Sequence, residues 1–338
     1  MIIRTHSYPR AALIGNPSDG YGGKTIALLF DDFRATVELW QTPELEILPN
    51  QRDHRCFFCL GELVEDVRRY GYYGGLRLLK ATVRVFARYC RQAGIDLHDR
   101  NFTIRYQTDI PSHLGLAGSS AIITAGMRAL MVFYGVAITE PVLARLVHSV
   151  EVQELFIPAG LQDRVAQAYE QPVYMDFAAD HMQRFGHGDY QMLPVASLPP
   201  LYIAYRTDLA EGSEVLHGDL RPRYNQGEPA VLAALEEWKQ LTDQVRDLLV
   251  AGKGSEIGPL LDRNYDLREE VCQVNPRNAE MVHLARQVGV SAKFTGSGGA
   301  IIGVCDSDER FARLSAHLAS HGIEVLRPHV VARDKESQ

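Results

Sequence analysis

Apolar and polar positions alternate over short stretches in the first third of the chain. Residues 25–48 carry runs such as ATVEL and LEIL, the period-two pattern of half-buried strands, and residues 102–110 (FTIRYQTDI) repeat it. Between them the period changes. Residues 71–91 place Leu76, Leu79, Val83 and Phe86 at helical spacing, with basic residues on the opposite face. Residues 111–135 run from a glycine-containing loop into a helix in which Ile122, Ile123, Leu130 and Met131 recur at helical intervals. Further helices are expected over residues 141–156 and from Gln162 onward, and a strand over VYMDF, residues 173–177. The hydrophilic stretch 178–190 then marks the expected lobe boundary.

The second half opens with a proline-flanked strand, LPPLYIAYRT, followed by amphipathic helical stretches near 229–251 and 257–273. It closes as helix, SAKFTGSGGAIIGVC, helix, and the strand IEVLRPHVV. Strands and helices alternating in two unequal patterns predict an α+β protein of two lobes, residues 1–185 and 186–333, with a polar, solvated tail at 334–338. There is no internal repeat.

At 338 residues the chain is long enough for two domains, and 46% apolar with 23% charged residues suits a globular protein. The net charge of −7 argues against a nucleic-acid partner, although a local positive site for an anionic small molecule remains compatible with it. No run of about 18 uncharged apolar residues exists to span a membrane. The N-terminal MIIRTHSYPRAALIG reads as a strand rather than a signal peptide. Five scattered cysteines fit a reduced, cytoplasmic protein.

The segment Gly115-Leu-Ala-Gly-Ser-Ser-Ala121 carries the most chemistry. Glycines let backbone N–H groups converge on an anion, and the following helix adds its unsatisfied N-terminal N–H groups and positive dipole end. Ser119 and Ser120 add hydroxyls for phosphate oxygens or magnesium, although a plain serine-capped turn would look the same. Two other glycine-rich segments fail as nucleotide motifs. SDGYGGKT, residues 18–25, lacks the first glycine of a Walker A loop and leads into a strand. GSGGAI, residues 296–301, ends in Ile301 where the dinucleotide fingerprint needs Gly or Ala. The GSGG run still permits close backbone approach. Cys56-Phe-Phe-Cys59 has neither a second such pair nor nearby histidines, and it carries no metal assignment. Glu151 and Glu154 stand one helical turn apart, so both can face one side, and Asp163 opens the next helix. These carboxylates suit magnesium or a proton, or else plain solvated helix positions.

Three segments in order resemble the GHMP kinase superfamily. They are Arg10-Ala-Ala-Leu-Ile-Gly-Asn-Pro-Ser-Asp19 with Gly22 and Gly23, Pro111 through Ala121, and Thr295-Gly-Ser-Gly-Gly-Ala300. Within that superfamily, GNPSDGYGGKT, GYYGGLRLL, AGLQDRVAQAY and AKFTGSGGA resemble the plant-type glucuronokinase branch. The galactokinase branch reads a Glu-His-Thr-Asp type sequence where this chain has Asn16-Pro-Ser-Asp19. The resemblance implies a ribosomal-protein-S5-like N-terminal lobe and a ferredoxin-like C-terminal lobe. It also implies ATP- and Mg²⁺-dependent phosphorylation of the anomeric hydroxyl of D-glucuronate.

Carried over residue by residue, the resemblance makes Asp163 the residue that accepts or orients the hydroxyl proton and Arg10 its basic partner. Pro111, Gly115, Leu116, Ala117, Gly118, Ser119, Ser120 and Ala121 would hold ATP. Ser120 and Glu151, rather than Glu154, would hold magnesium. Asp19, Gly22, Gly23, Gly296, Gly298 and Gly299 would shape the sugar side. The cation for a uronate carboxylate is expected among Arg77, Arg164 and Lys24, since bidentate arginine suits that group. Tyr72 and Tyr73 are candidates for stacking on the sugar. Kinases for galacturonate, a heptose or fucose, and a non-catalytic sugar and nucleotide sensor, share the pattern; a sensor has no need of Asp163. A monomer and a homodimer fit equally.

Overall fold

The computed structural model describes residues 1–50, 53, 58–62, 64, 74–112, 114–207 and 220–333. Cys56, Tyr72, Tyr73 and the tail 334–338 lie outside the described residues. Strands β1 (Ile2–Ser7), β4 (Ala35–Gln41), β5 (Glu46–Ile47) and β6 (Phe102–Thr108) form one sheet in the order β1-β4-β6-β5. A second sheet, β2-β3-β7-β8, joins β2 (Arg10–Ile14), β3 (Lys24–Leu29), β7 (Val173–Asp176) and β8 (Asp189–Met192), all antiparallel.

Helices α1 (Gly75–Gln92) and α2 (Gly118–Tyr134) pack together, and α2 lies on β1 and β4. The apolar stripe of α1 centres on Leu78, Leu79, Val85 and Phe86, while Leu76 and Val83 sit at its half-buried shoulder. Helix α2 is apolar nearly all round because neighbours cover most of its surface. Helices α3 (Glu140–Ser149) and α4 (Gln162–Tyr169) follow, with α4 against β2 and β3.

A short helix α5 (Ala179–Phe185) precedes β8. The expected boundary at 185 therefore moves, because β8 pairs with β7 and the first lobe runs through Met192. The physical reason is that β8 (DYQM) is a largely exposed edge strand, whose polar side chains hide the strand pattern. The chain also returns at its end. Val330 bridges to Phe30, and the amide of Val331 donates to the Leu29 carbonyl.

In the second lobe, β9 (Leu201–Tyr205), β10 (Lys293–Phe294), β11 (Ala300–Val304) and β12 (Glu324–Leu326) form an antiparallel sheet ordered β10-β11-β9-β12. Its helices are α6 (Pro229–Val250), α7 (Gly258–Val271), α8 (Pro276–Gln287) and α9 (Asp308–Ala319). On one face Tyr202, Ala204 and Ile301 meet Met281, Val282, Leu314 and Leu318. From the other face Ile203, Tyr205 and Ile302 join the main core, which also holds Trp238. Helix α6 packs on β2 and β3 opposite α4, so the second sheet is covered on both sides. That explains the unbroken apolar character of AALI and IALL. Among the described residues, no helix is long and apolar enough to cross a membrane.

Candidate active site

The glycine-containing loop enters α2 through two left-handed residues, Gly115 (φ 64) and Ala117 (φ 63), the latter at the N-cap position. No side chain caps the helix, so its first-turn N–H groups have the geometry that suits an anion. Leu114 and Leu116 are buried and anchor the loop from below. The Leu116 carbonyl accepts from the Arg10 amide, and the Ala117 carbonyl accepts from Gln167 at 3.0 Å. The loop holds this unusual backbone through tertiary contacts rather than through a serine cap.

Against it lies the second glycine loop. A Cβ on Gly296 would stand 2.3 Å from the Gly115 carbonyl oxygen, and one on Gly115 would stand 2.9 Å from the Ser297 amide nitrogen. The two loops touch backbone to backbone. Arg268 fastens the second loop by donating to the carbonyls of Gly296 and Ser297, each at 2.6 Å. Lys293, fully buried, donates to the carbonyls of Ala12 and Phe294 and to Asn16 Oδ1, joining β2, the Asn16 turn and β10. We expect Gly296→Ala to push the loops apart and weaken ATP binding about tenfold, an overpacking cost of ~1–2 kcal/mol. A nucleotide titration reads this, and an unchanged affinity would mean the loops do not hold each other's shape.

Beside the loops sits a buried charge cluster. Asp163, in the first turn of α4, accepts from Arg10 Nε at 2.7 Å and pairs with Arg10 Nη2 at 2.6 Å. Its other oxygen accepts from Arg164 Nη1 at 3.0 Å. Arg10 Nη1 donates onward to the carbonyls of Gly115 and Thr295, tying the carboxylate's partner to both loops. Arg164 donates through Nε and Nη2 to Glu151, and Glu151 Oε1 accepts from Ser119 Oγ at 2.6 Å. Asp19, on the turn Ser18–Tyr21, accepts from Gln162 Nε2 at 3.2 Å. Gly160 passes so close that a Cβ there would meet Asp19 Oδ2 at 2.3 Å.

The electrostatics follow from the count of charges. Two guanidiniums face three carboxylates. Burial pushes the Asp163 carboxyl upward, but Arg10 and Arg164 outweigh it and hold the group below its ordinary range. Asp19 is the surplus acid: burial, then the negative charge of Asp163, raise it to about 6 against the pull of Arg10 and Arg164. The neighbouring His148 is pushed down by burial and by Arg164.

Model matches and relatives agree on what this arrangement belongs to. The model for the GHMP kinases N terminal domain matches residues 77–171, and the GHMP kinases C terminal model matches residues 245–324. Glucuronokinase 1 of Arabidopsis thaliana is 40% identical over 310 residues, covering 90% of this chain and 85% of that protein. Probable glucuronokinase 2 of the same plant is 40% identical over 90% of this chain and 84% of its own. The chain belongs to the GHMP kinases. A crystal structure of mevalonate kinase shares the fold with a TM-score of 0.70 at 18% identity, over 98% of this chain and 100% of that one.

The kinase brings most of the expected site residues together and corrects others. Arg10, Asp19, Asp163, the loop at 115–121 and the loop at 295–299 converge. Glu151 and Glu154 do not share a side, because residues Val150–Glu154 form a wider π turn after α3, seen in the bond from the Leu155 amide to the Val150 carbonyl. Glu151 faces the loop, whereas Glu154 pairs with Arg84 and Arg88 of α1. Ser120 does not reach Glu151: its buried hydroxyl donates back to the Ala117 carbonyl at 3.1 Å, and Ser119 takes the forward place.

Arg164 is not available to a substrate carboxylate, being buried and committed to Glu151 and Asp163. Lys24 is likewise taken by Asp243 and Asp176. Arg77 bridges from α1 to the Leu155 carbonyl at 2.9 Å. Gly22 (φ 70) ends the Ser18–Tyr21 turn, and Gly23 packs so tightly on Ser18 that a Cβ would meet its Oγ at 2.3 Å, so both build the turn that carries Asp19. Gly299 donates its amide to Asn278 and Gly298 carries the chain toward it. Gln162, Arg268 and Lys293 are not among the expected site residues, although Gln162, inside AGLQDRVAQAY, and Lys293, inside AKFTGSGGA, lie within phrases that carry the resemblance.

The raised Asp19 pKa also sets a stability test. The folded state binds this proton up to about pH 6 and the unfolded chain only to about 3.8, so Asp19 costs stability as pH rises through that window and costs it fully above. Asp19→Asn is expected to gain up to about 3 kcal/mol at pH 7.5, seen as a Tm rise of several degrees, with most of the gain gone at pH 4. A variant no more stable than the parent at pH 7.5 would contradict a buried, surplus carboxylate.

Proposed function

We propose that the protein transfers the γ-phosphoryl group of ATP to the anomeric hydroxyl of D-glucuronate, giving D-glucuronate 1-phosphate and ADP. The observation that carries this reading is the Arg10–Asp163 pair placed against both glycine loops, in a chain 40% identical to proteins named as glucuronokinases. Asp163 accepts the hydroxyl's hydrogen bond and aims its oxygen at phosphorus. Held ionised by two arginines, it is a weak base, so it takes the proton only as the new O–P bond forms and the bond to ADP breaks. Little base strength is needed, because the transition state is loose and nucleophile positioning dominates.

Arg10 places positive charge between that carboxylate and the phosphate loop, where negative charge gathers. The loop's N–H groups and the start of α2 hold the phosphates. The Ser119 hydroxyl and Glu151 carboxylate offer the hard oxygen donors magnesium takes, and Mg²⁺ bound there would neutralise charge between the β- and γ-phosphates. Asp19, ionised above about pH 6, supplies an acceptor for sugar hydroxyls.

The test is ATP consumption with a sugar panel: D-glucuronate, D-galacturonate, D-glucose, D-galactose, L-fucose and a manno-heptose. The expected result is a kcat/KM for glucuronate well above every other sugar. Turnover confined to a neutral sugar would discard the uronate, and ATP binding with no turnover would favour a sensor.

A further inference from the structure

With Arg164 and Lys24 committed to acids of the protein, a uronate carboxylate needs another cation. The turn that carries Asp19 has one. The helical turn at residues 220–225 lies against residues Ser18–Tyr21, and two of its side chains grip the same tyrosine. Tyr224 meets Tyr21 edge-on, with ring centroids 5.1 Å apart, and the Arg221 guanidinium lies over the Tyr21 ring at 4.2 Å. Arg221 Nη2 donates to the Gly20 carbonyl at 2.7 Å. Gly20 follows Asp19 directly, so this guanidinium is anchored on the same short turn that presents Asp19 to the Asp163 cluster.

Arg221 differs from its neighbours in what it lacks. Arg10, Lys24 and Arg164 each pair with a carboxylate, and Lys293 is buried among three oxygens. Arg221 is exposed and, among the described residues, has no acidic partner and one hydrogen bond, to a backbone carbonyl. Stacking on Tyr21 fixes the plane of the fork in advance, so less freedom is lost when it engages a planar anion. In a hexuronate the carboxylate hangs from C5, separated from the anomeric carbon by the ring oxygen. An anomeric hydroxyl at Asp163 therefore leaves the carboxylate to one side, away from the reacting oxygen.

We propose that Arg221 binds the substrate carboxylate and sets the preference for a uronate over a neutral sugar. This rests on the uronate reading above. The experiment compares D-glucuronate with D-glucuronamide, its neutral C6 analogue, in the wild type, Arg221→Ala and Arg221→Lys, by steady-state kinetics and competition. The wild type is expected to favour the acid by about 10- to 100-fold in KM or Ki. In Arg221→Ala that ratio should fall toward one, through a rise in KM for the acid with little change in KM for ATP, and Arg221→Lys should restore part of it. A merely structural role would weaken acid and amide together and keep the ratio. A ratio unchanged in Arg221→Ala overturns the proposal while leaving the function intact. A wild type that does not turn over glucuronate overturns the function itself, and the proposal with it.

Discussion

Asp163→Asn is expected to bind ATP within a few-fold of the parent protein and to turn over about a thousandfold more slowly. The substitution keeps the side chain's shape and one acceptor for Arg10, but it removes the charge and places an amide donor where Arg164 or the sugar hydroxyl needs an acceptor. A positioned proton acceptor contributes about 10²- to 10⁴-fold, and lost orientation of the nucleophile adds to that. The glycine loop at 115–121 is held by Gln167, by the Arg10 backbone amide on the Leu116 carbonyl and by the second glycine loop, contacts that do not run through the Asp163 carboxylate. Turnover and nucleotide affinity should therefore separate. Steady-state rates with a parallel nucleotide titration measure both, and a variant within tenfold of the wild-type rate would remove Asp163 from the transfer step.

Arg164→Ala is expected to damage the fold more than any other single change in the site. Arg164 and Glu151 are both buried, at 3% and 1% exposure, and the same guanidinium also holds Asp163 and the Gly160 carbonyl. Deleting it strands two carboxylates beside a third, Asp19, with only Arg10 to balance them. Removing one partner of a buried ion pair costs ~3–5 kcal/mol. For a chain of this length that corresponds to a Tm loss of about 4–7 °C. Thermal unfolding decides between this and a substrate-binding role. A residue that met only the sugar carboxylate would lose affinity on substitution and leave the Tm where it was.

The sequence pattern made the phosphate loop, the long helices and most strands legible, because each is local. Gly115 through Ala121 announces its conformation by composition, and α6 and α7 by their period. The pairing of Arg10 with Asp163 is separated by most of a lobe, and only the family resemblance joined them. Where geometry turns on a local departure from ideal structure, the pattern misled. A regular helix puts Glu151 and Glu154 together, and the π turn parts them. A serine run does not say which hydroxyl points forward, and the left-handed Ala117 turns Ser120 back and Ser119 out. Strand β8 was hidden because an exposed edge strand needs no apolar face. Arg164 reads as a free cation beside an active-site acid, and only its burial reveals that Glu151 and Asp163 consume it. Arg268 carries no local signal at all, since its role is defined by a loop distant in sequence.

Phosphorus NMR of the product formed from ATP and D-glucuronate reads which oxygen of the sugar receives the phosphoryl group. The expected product is a sugar phosphate whose phosphorus couples to the anomeric proton, formed in step with ADP and accompanied by loss of the reducing end. Phosphate on any other carbon, or inorganic phosphate released with the sugar unchanged, would contradict it.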